Sequence, residues 1–386
     1  MKIVLLGSVD PFDFDLSQQD YDRVNRFKFG RSVPVSDLAV TLSELGHEVT
    51  VIGIIGTVES ALSLKTQNGV KLIYIPGRRQ EKLKAITFYS AERQSILSQI
   101  VSIKPDVVHA HWTYEYALAA QDSGLPHIIT VHDEPWKILQ DFRNLFFFLR
   151  LINAIRVRSR NSQNFVFVSE YIRTLWNQRM FATGGDVIPN MNRIEIGRFD
   201  ESNRINHVIS VGNTNRGKNI RSLLAAWQIA LLVNPNLRLH LVGPGLGEGD
   251  SLAKEFNSKF ELGQVTWHGS IDRHELSNLY SRCKVLVHPS LHESFGLVYL
   301  EAFAGNLGVI TFEKSGSASE VVGDAGLILK DCSPSSLSEA ILTLTSNQTL
   351  LNQLTENGRV RLERYAPKLI AQKYISLYER IVGIRK

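Results

Sequence analysis

Twelve short apolar runs, separated by longer segments with helical periodicity, constrain the fold of this chain more than any other feature of its sequence. Most runs are continuous rather than alternating, which is typical of parallel strands covered on both faces. Segments such as Val35–Leu45, Asn219–Leu232 and Asp272–Cys283 are predicted to be the crossover helices. This alternation predicts a doubly wound α/β fold. The predicted strands are Lys2–Gly7, Glu48–Ile54, Lys71–Ile75, Asp106–Ala110, His127–Val131, Asn164–Val168, His207–Val211, Leu237–Val242, Val265–His268, Lys284–His288, Gly308–Phe312 and Gly326–Leu329.

The number of predicted strands indicates two domains. The chain has 386 residues, and domains hold roughly 100–200 residues each. Six predicted strands fall on either side of the segment Val187–Asn206, which carries a proline and then polar and charged residues. We therefore predict two Rossmann-like domains, 1–190 and 191–366, that face each other across a cleft. Ligands of such sheets bind beyond the carboxyl ends of the strands.

Composition excludes several classes of protein. Hydrophobic residues make up 44% and charged residues 21% of the chain, as in globular proteins. Cys283 and Cys332 are too few for a disulfide framework and lack zinc-binding spacing, so we expect a cytoplasmic protein. Met1 leads directly into the first apolar run without a signal-peptide pattern. The run Leu145–Ile155 is interrupted by charged and polar residues, so no segment is expected to span a bilayer.

The segment His288–Gly305 carries the most specific pattern of reactive side chains. Glu293 lies just before a predicted helix, where the helix dipole favours a carboxylate. Glu301 lies inside that helix among apolar residues, where a carboxylate must be paired or hydrogen-bonded. The alternative is that neither residue binds a ligand. Glu293 would then only stabilise the helix start, and Glu301 would be an ordinary glutamate on the helix surface. With Gly296 between them they form Glu-x-x-Gly-x-x-x-x-Glu.

This pattern, with Pro289-Ser290 before it and Gly305 after it, resembles the E-x7-E signature of the family-4 retaining glycosyltransferases, which adopt the GT-B fold. The resemblance implies that Glu293 holds hydroxyls of the donor sugar and that Glu301 binds the ribose hydroxyls of the nucleotide. The helix N-terminus would face the diphosphate. The backbone that would assist consists of Ser294, Phe295, Gly296 and Leu297.

The loop after the strand His207–Val211 carries two cations, Arg216 and Lys218. Cations at a strand end suit a diphosphate leaving group, on which negative charge grows during transfer. The family has Gly-Arg, four residues, then Lys, and Lys218 falls on that lysine. Asn213 replaces the usual arginine, and we hypothesise that Arg216 supplies the missing charge. A solvated surface loop is the alternative for both cations.

Two further segments resemble donor-binding parts of the family. Gly243 ends a strand in the family's Val-Gly-x-Gly pattern, which by itself is weak for dinucleotide binding. Gly269, Ser270 and Ile271 would flank the base, mostly through the backbone. Glu320 stands in the family's usual acidic position.

Histidines mark two predicted strand ends in the first half. His109, His111, His132 and Asp133 suggest a metal site, but we expect His109 and His111 to point to opposite faces of their strand and predict none. The resemblance implies that His132 lies near the reacting sugar and positions it. A packing histidine is the alternative.

The loop after the first strand contains Asp13 and Asp15, an Asp-x-Asp pair. In the GT-A fold such a pair marks metal-dependent transfer, but there it follows a central strand of a single domain. We interpret the pair here as loop chemistry or acceptor contacts. The family commonly has Gly-Gly in this loop, whereas this chain has Gly30 followed by Arg31.

Two basic segments allow contact with an anionic membrane surface. Trp136–Arg160 mixes aromatic residues with six basic residues against the single acid Asp141. A solvated basic helix face is the equal alternative. The second cluster comprises Arg78, Arg79, Lys82 and Lys84.

The resemblance predicts a retaining hexosyltransferase that moves a sugar from a nucleotide-diphosphate sugar to a glycan or lipid-linked acceptor. Lys218, Glu293 and His132 would serve catalysis by a front-face mechanism, with no metal or cofactor and no nucleic-acid partner. The last helix, 367–386, would pack back onto the N-terminal domain. Alternatives are an inverting GT-B transferase or epimerase, which should lack Glu-x7-Glu, and a nucleotide-sugar-binding protein with weak or no turnover.

Overall fold

The computed structural model describes residues 1–78, 80–160, 164–180, 184–196, 206–259 and 264–383. The chain forms two compact units: the first comprises Met1–Met191 together with Pro367–Lys386, and the second comprises Asn192–Ala366. Sequence analysis placed the boundary between residues 190 and 191. The C-terminal segment thus belongs to the first unit.

The first unit is built on a sheet whose strand order is β3-β4-β2-β1-β5-β6-β7-β8. All neighbouring pairs run parallel except β3 and β4. The strands β3 and β8 were not predicted, since one is a four-residue edge strand and the other has two residues. The strands are β1 Lys2–Leu6, β2 Glu48–Ile55, β3 Leu62–Lys65, β4 Lys71–Pro76, β5 Val107–His111, β6 His127–Val131, β7 Phe165–Phe167 and β8 Asp186–Val187.

The second unit has a sheet of parallel strands in the order β11-β10-β9-β12-β13-β14. The order reverses between β9 and β12, which makes the loops after these two strands the topological switch point where α/β sheets bind ligands. The strands are β9 His207–Val211, β10 Arg238–Val242, β11 Val265–Gly269, β12 Val285–Val287, β13 Gly308–Phe312 and β14 Gly326–Leu329.

Helices connect the strands and cover both sheets. Those of the first unit are α1 Gln18–Val24, α2 Val33–Glu44, α3 Glu81–Ile86, α4 Ser90–Ile103, α5 Glu115–Asp122, α6 Pro135–Phe142, α7 Leu145–Ser159 and α8 Glu170–Arg179. Those of the second are α9 Ile220–Val233, α10 Ser251–Phe256, α11 Arg273–Arg282, α12 Leu297–Ala304, α13 Ala318–Val322, α14 Pro334–Ser346 and α15 Gln348–Leu362. The last helix, α16 Pro367–Val382, returns to the first unit.

Burial explains why the continuous apolar runs became strands. Every residue of β5 and of β13 is buried, as expected for central parallel strands with helices on both faces. The prediction of a doubly wound α/β fold is confirmed. Among the described helices, none combines the length and apolarity that crossing a membrane requires.

Candidate functional site

Two loops at the switch point of the second unit bring a cation and a carboxylate together. Lys218 ends a single turn of 3₁₀ helix, Arg216–Lys218, in the loop after β9. Its ammonium group donates to Oε1 of Glu293, which lies in the loop after β12. His288, the residue directly after β12, bonds the same oxygen through Nε2 at 2.7 Å. One carboxylate oxygen therefore holds both partners.

Backbone hydrogen bonds fix these loops. The carbonyl of Gly217 accepts from the N–H of Leu291 at 2.7 Å and from the hydroxyl of Ser290 at 3.3 Å. Ser317 donates to the carbonyl of Glu293 through its backbone N–H at 3.0 Å and its hydroxyl at 3.2 Å. The Glu293 side chain therefore projects from an anchored backbone, as a preorganised site requires.

The ionisation of Glu293 follows from its partners. Its side chain is only 11% exposed, and burial by itself raises the pKa of a carboxyl group. His288 and Lys218 outweigh burial and hold the pKa of Glu293 well below its usual range. The carboxylate therefore stays charged near neutral pH and can accept hydrogen bonds from hydroxyl groups of a ligand.

Helix α12 begins just after Glu293, and no side chain caps its first turn. Gly296 precedes the helix with φ +83°, and a Cβ there would lie 2.4 Å from the ring of Tyr299. Only glycine fits this position without strain, because L side chains rarely adopt such a φ. The N–H groups at the start of this helix carry the positive end of the helix dipole, which suits an anionic ligand.

Glu301 lies in α12 and is hydrogen-bonded to a side chain of α11. The hydroxyl of Tyr280 donates to Oε2 of Glu301 at 2.8 Å. Tyr280 is fully buried, whereas Glu301 keeps part of its surface accessible. Burial and then the charge of Glu301 raise the pKa of Tyr280 well above its usual value, so the phenol remains a donor.

The other predicted donor residues lie at the same carboxyl edge of the sheet, because all its strands run parallel. The N–H of Gly243 donates to the carbonyl of Gly269 at 2.7 Å, which ties the ends of β10 and β11 together. Ser270 is exposed and Ile271 partly exposed in the loop that follows. Ser294 is partly exposed and Phe295 is buried, each next to the start of α12.

Arg216 and Asn213 share the loop of Lys218. Arg216 is exposed, one residue before Gly217. The side-chain oxygen of Asn213 accepts from the N–H of Asn215 at 3.0 Å, so it stabilises a turn of its own loop. That Arg216 supplies the charge of the missing arginine stays a prediction.

Three histidines of the first unit form a cluster in which His109 and His111 are buried and His132 is partly exposed. The rings of His109 and His111 stack with centroids 4.2 Å apart, so the expectation that they point to opposite faces is wrong. Side chains two residues apart on a strand share a face. Nδ1 of His111 lies 2.9 Å from Nε2 of His132, and Nδ1 of His109 lies 2.7 Å from the hydroxyl of Tyr378 on α16. Burial lowers the pKa of His132 to about 3, so this ring is neutral near pH 7.

Next to His132, the charged groups of Arg150 and Asp133 meet at the neutral ring of Tyr114. The guanidinium of Arg150 on α7 lies over the ring of Tyr114, 3.7 Å from the centroid. The hydroxyl of Tyr114 donates to Oδ1 of Asp133 at 3.1 Å. Burial raises the pKa of Asp133 to about 6, although Arg150 opposes the shift.

This arrangement shows that not every basic residue of Trp136–Arg160 can belong to a membrane-facing surface. The segment forms two helices, α6 and α7, and Arg150 is turned inward onto Tyr114. Arg160 pairs with Asp122 at 2.6 Å. Exposed apolar side chains remain at the end of α6 and in the first turn of α7, namely Phe142, Leu145 and Phe148.

The second basic cluster is also not an exposed patch where the structure describes it. Arg78 forms an ion pair with Glu92 at 2.7 Å, and Lys84 is buried. Arg79 and the side chain of Lys82 lie outside the described residues.

Asp13 is engaged in the first unit. Arg31 forms an ion pair with Asp13 at 2.7 Å, and the side chain of Asp13 is only 3% exposed. The hydroxyl of Ser36 donates to its other oxygen at 3.3 Å. Within the ranges that the structure describes, no group of three or more His, Cys, Asp or Glu side chains is placed to hold a metal ion.

Two family models match this chain, one for each half. The model described as Glycosyl transferases group 1 matches residues 194–361, and the model described as Glycosyltransferase Family 4 matches residues 32–191. Neither model covers half of the chain by itself, but together they span most of both halves, and the chain is therefore a glycosyltransferase of the group 1 type. These matches confirm that the resemblance to glycosyltransferases was correct, whereas the role of the E-x7-E motif and the retaining mechanism stay predictions.

Relatives of this glycosyltransferase fall in the same class. It is 24% identical over 285 residues to an uncharacterized glycosyltransferase of Methanocaldococcus jannaschii, covering 72% of this chain and 76% of the relative. It is 27% identical over 175 residues to O-antigen chain mannosyltransferase B of Escherichia coli, covering 45% of each chain. It is 30% identical over 159 residues to the N,N'-diacetylbacillosaminyl-diphospho-undecaprenol alpha-1,3-N-acetylgalactosaminyltransferase of Campylobacter jejuni, covering 40% of each chain.

A solved structure confirms the fold. The sucrose-phosphate synthase of Thermosynechococcus elongatus superposes on this glycosyltransferase with a TM-score of 0.79, and the match covers 100% of both chains. The sequence identity is 19%, so the likeness shows the GT-B fold alone.

Sequence reasoning missed three residues that support the site. Tyr280 and Ser317 bond Glu301 and Glu293, and His288 shares an oxygen with Lys218. His288 is the first residue of the segment His288–Gly305. Its position at a strand end, five residues before Glu293, was the signal that could have identified it as a site residue. Tyr280 and Ser317 lie on other elements, so only the packing of the unit reveals them.

Proposed function

We propose that this glycosyltransferase moves a hexosyl group from a nucleotide-diphosphate sugar to a glycan or lipid-linked acceptor with retention of anomeric configuration. The meeting of Lys218 and Glu293 at the switch point carries the proposal. A cation next to an ionised carboxylate offers one group for the diphosphate and one for sugar hydroxyls. The N-terminus of α12 adds a second positive end for the phosphates.

The two glutamates support a front-face mechanism in this proposal. A retaining glycosidase uses one carboxylate as nucleophile and a second as acid. Here Glu293 is bound by Lys218 and His288, and Glu301 is bound by Tyr280. Both carboxylates are thus held as hydrogen-bonding groups. In the proposed step the acceptor oxygen forms its bond to the anomeric carbon as the bond to the diphosphate breaks. The diphosphate takes the acceptor proton.

Lys218 assists this step by stabilising the charge that grows on the departing diphosphate. His132 of the first unit is proposed to position the reacting sugar, and its neutral ring suits hydrogen bonding rather than charge stabilisation. We propose that neither a metal nor a cofactor takes part, because Lys218 and the helix N-terminus supply positive charge.

The acceptor proposal draws on the relatives. One is named for an O-antigen chain and another for a diphospho-undecaprenol-linked sugar. We therefore propose a role in cell-surface polysaccharide or glycolipid synthesis, in the cytoplasm and at the inner face of the membrane. The exposed Phe142, Leu145 and Phe148, with the exposed Arg143 among them, would provide the membrane contact. Co-sedimentation with liposomes should require anionic lipid and weaken with salt. Binding that does not depend on lipid charge would contradict the proposed contact with an anionic membrane surface.

The proposal is tested by identifying the donor and then the product. Thermal-shift screening against UDP-, GDP- and ADP-sugars should select one donor, since a bound ligand raises Tm by mass action. NMR of the glycoside formed from that donor should show the donor's anomeric configuration. An inverted linkage contradicts the retaining mechanism, and a stabilising donor that the pure protein never consumes favours a nucleotide-sugar-binding protein instead.

A further inference from the structure

We propose that Tyr280 is a positioning residue for the donor nucleotide: it orients Glu301 for the ribose through its buried hydrogen bond. This inference rests on the proposed function, in which Glu301 binds the ribose hydroxyls. It adds a residue from another helix that does not itself touch the ligand.

The first observation is the contact itself. The hydroxyl of Tyr280 donates to Oε2 of Glu301 at 2.8 Å. A neutral phenol that donates to a carboxylate makes a charge-assisted hydrogen bond, which is stronger and more directional than a neutral one. The bond therefore restricts rotation of the carboxyl group about its terminal torsion, which is otherwise soft.

The second observation is that Tyr280 is itself fixed. Its side chain is fully buried, and α11 begins with a capping box formed by Asp272 and Glu275. One turn before Tyr280, the hydroxyl of Ser277 donates to the carbonyl of Glu195 at 2.7 Å. The phenol thus reaches Glu301 from a rigid element, which is the arrangement that holds a binding group in its productive geometry.

The third observation is the asymmetry of the pair. Tyr280 has no solvent exposure, whereas Glu301 keeps part of its surface accessible. A ligand hydroxyl can therefore reach Glu301 but not Tyr280. Burial and the charge of Glu301 keep the phenol protonated, so it remains a donor near neutral pH.

The test measures ribose recognition by titration calorimetry. UDP, GDP and ADP are titrated into the full chain, and the tightest binder is compared with its 2′,3′-dideoxy counterpart. Tyr280→Phe keeps the ring and removes only the hydroxyl. We expect it to weaken binding of the ribonucleotide about 10-fold and to leave the dideoxy nucleotide unchanged. The ratio that is compared between variants is the Kd of the dideoxy nucleotide divided by the Kd of the ribonucleotide. In Tyr280→Phe this ratio therefore falls.

Controls separate this role from a structural one. Tyr299→Phe removes the hydroxyl of another fully buried tyrosine, which bonds Thr311 instead, and it should keep the wild-type ratio. Glu301→Gln should lower the ratio at least as far as Tyr280→Phe, and the double variant no further than Glu301→Gln. A mere loss of stability would weaken both nucleotides equally and would also lower Tm.

The outcomes distinguish the inference from the proposed function. If Glu301→Gln lowers the ratio and Tyr280→Phe leaves it intact, the positioning role of Tyr280 is overturned while the donor site stands. If Glu301→Gln also leaves the ratio intact, or no nucleotide binds, the assignment of Glu301 to the ribose fails and the inference fails with it.

Discussion

Gly243 and Gly212 meet where β10 and β9 end, and a Cβ on Gly243 would lie 1.7 Å from the carbonyl oxygen of Gly212. Gly243 also has φ +132°, which L side chains rarely adopt. The close approach holds two strand ends together at the edge that carries Lys218. Hydrogen bonds on both sides of the approach, from Gly212 to Val242 and from Gly243 to Gly269, leave the backbone little freedom to move away.

We expect Gly243→Ala to lower the free energy of unfolding by more than about 3 kcal/mol, since neither the contact nor the φ tolerates a side chain. Gly249→Ala, in the same loop, is the matched control because a Cβ there meets nothing within 4 Å. The control should stay within about 1 kcal/mol of the wild type in urea denaturation. Equal free energies of unfolding for the two variants would contradict this prediction. They would show that the ends of β9 and β10 can move apart to make room for a Cβ.

A row of three histidines should make the second unit sensitive to acid. His240 lies 2.8 Å from His207 and 3.0 Å from His268, measured between ring nitrogens on neighbouring strands. Burial, and next the charges that His207 and His268 carry when protonated, lower the pKa of His240 to about 4 from an ordinary 6.5. Because the unfolded chain binds the proton more readily, this histidine favours the folded state above pH 6.5, and the contribution is lost as the pH falls toward 4.

The prediction is that His240→Gln flattens the pH dependence of unfolding. At pH 6.5 the variant should have a lower free energy of unfolding than the wild type. This difference should shrink as the pH falls to 4, by up to about 1.4 kcal/mol for each pH unit. His274→Gln, at an exposed position on α11, should leave the profile unchanged. Parallel profiles for the wild type and His240→Gln would contradict a half-buried ring that is neutral in the folded state.

Arg150 should be a stabilising residue of the first unit rather than a surface cation. Tyr114, Glu115 and Asp133 outweigh burial and raise its pKa, so the guanidinium remains charged. Arg150→Met leaves the partly buried Glu115 and Asp133 without this cation, and the free energy of unfolding should fall by about 3 kcal/mol. Arg143→Met, at an exposed position, should change it by less than about 0.5 kcal/mol. Similar losses from both variants would contradict the stabilising role of Arg150.

The fold could be predicted because central parallel strands leave continuous apolar runs in the sequence. β3 and β8 left no such signal, since each is short and only partly buried. The residues around Lys218 and Glu293 could be found because each follows a predicted strand, and strand ends of a parallel sheet share one edge. That the two side chains share a hydrogen bond depends on the loop backbone, which no spacing indicated.

The wrong expectation for the two histidines has a physical cause, and so has the inward position of Arg150, which the sequence did not indicate. For His109 and His111 the period of a strand was misapplied, because alternate side chains share a face. For Arg150 the local sequence is basic and aromatic, but its acidic neighbours Glu115 and Asp133 are distant in sequence and become adjacent only when α7 packs in the folded unit. Charge counted along a segment therefore did not reveal which cations face solvent.

The turnover rate of Lys218→Ala tests the central claim most directly. With the donor found by screening, kcat for sugar transfer or donor hydrolysis should fall about 10²–10³-fold, because the cation that stabilises the departing diphosphate is removed. Arg221→Ala is the matched control, since Arg221 lies three residues on, on α9, and pairs with Glu255 at the surface; its kcat should change by less than about twofold. A Lys218→Ala enzyme that folds and keeps the kcat of the Arg221→Ala control would contradict the assignment of Lys218 to the leaving group.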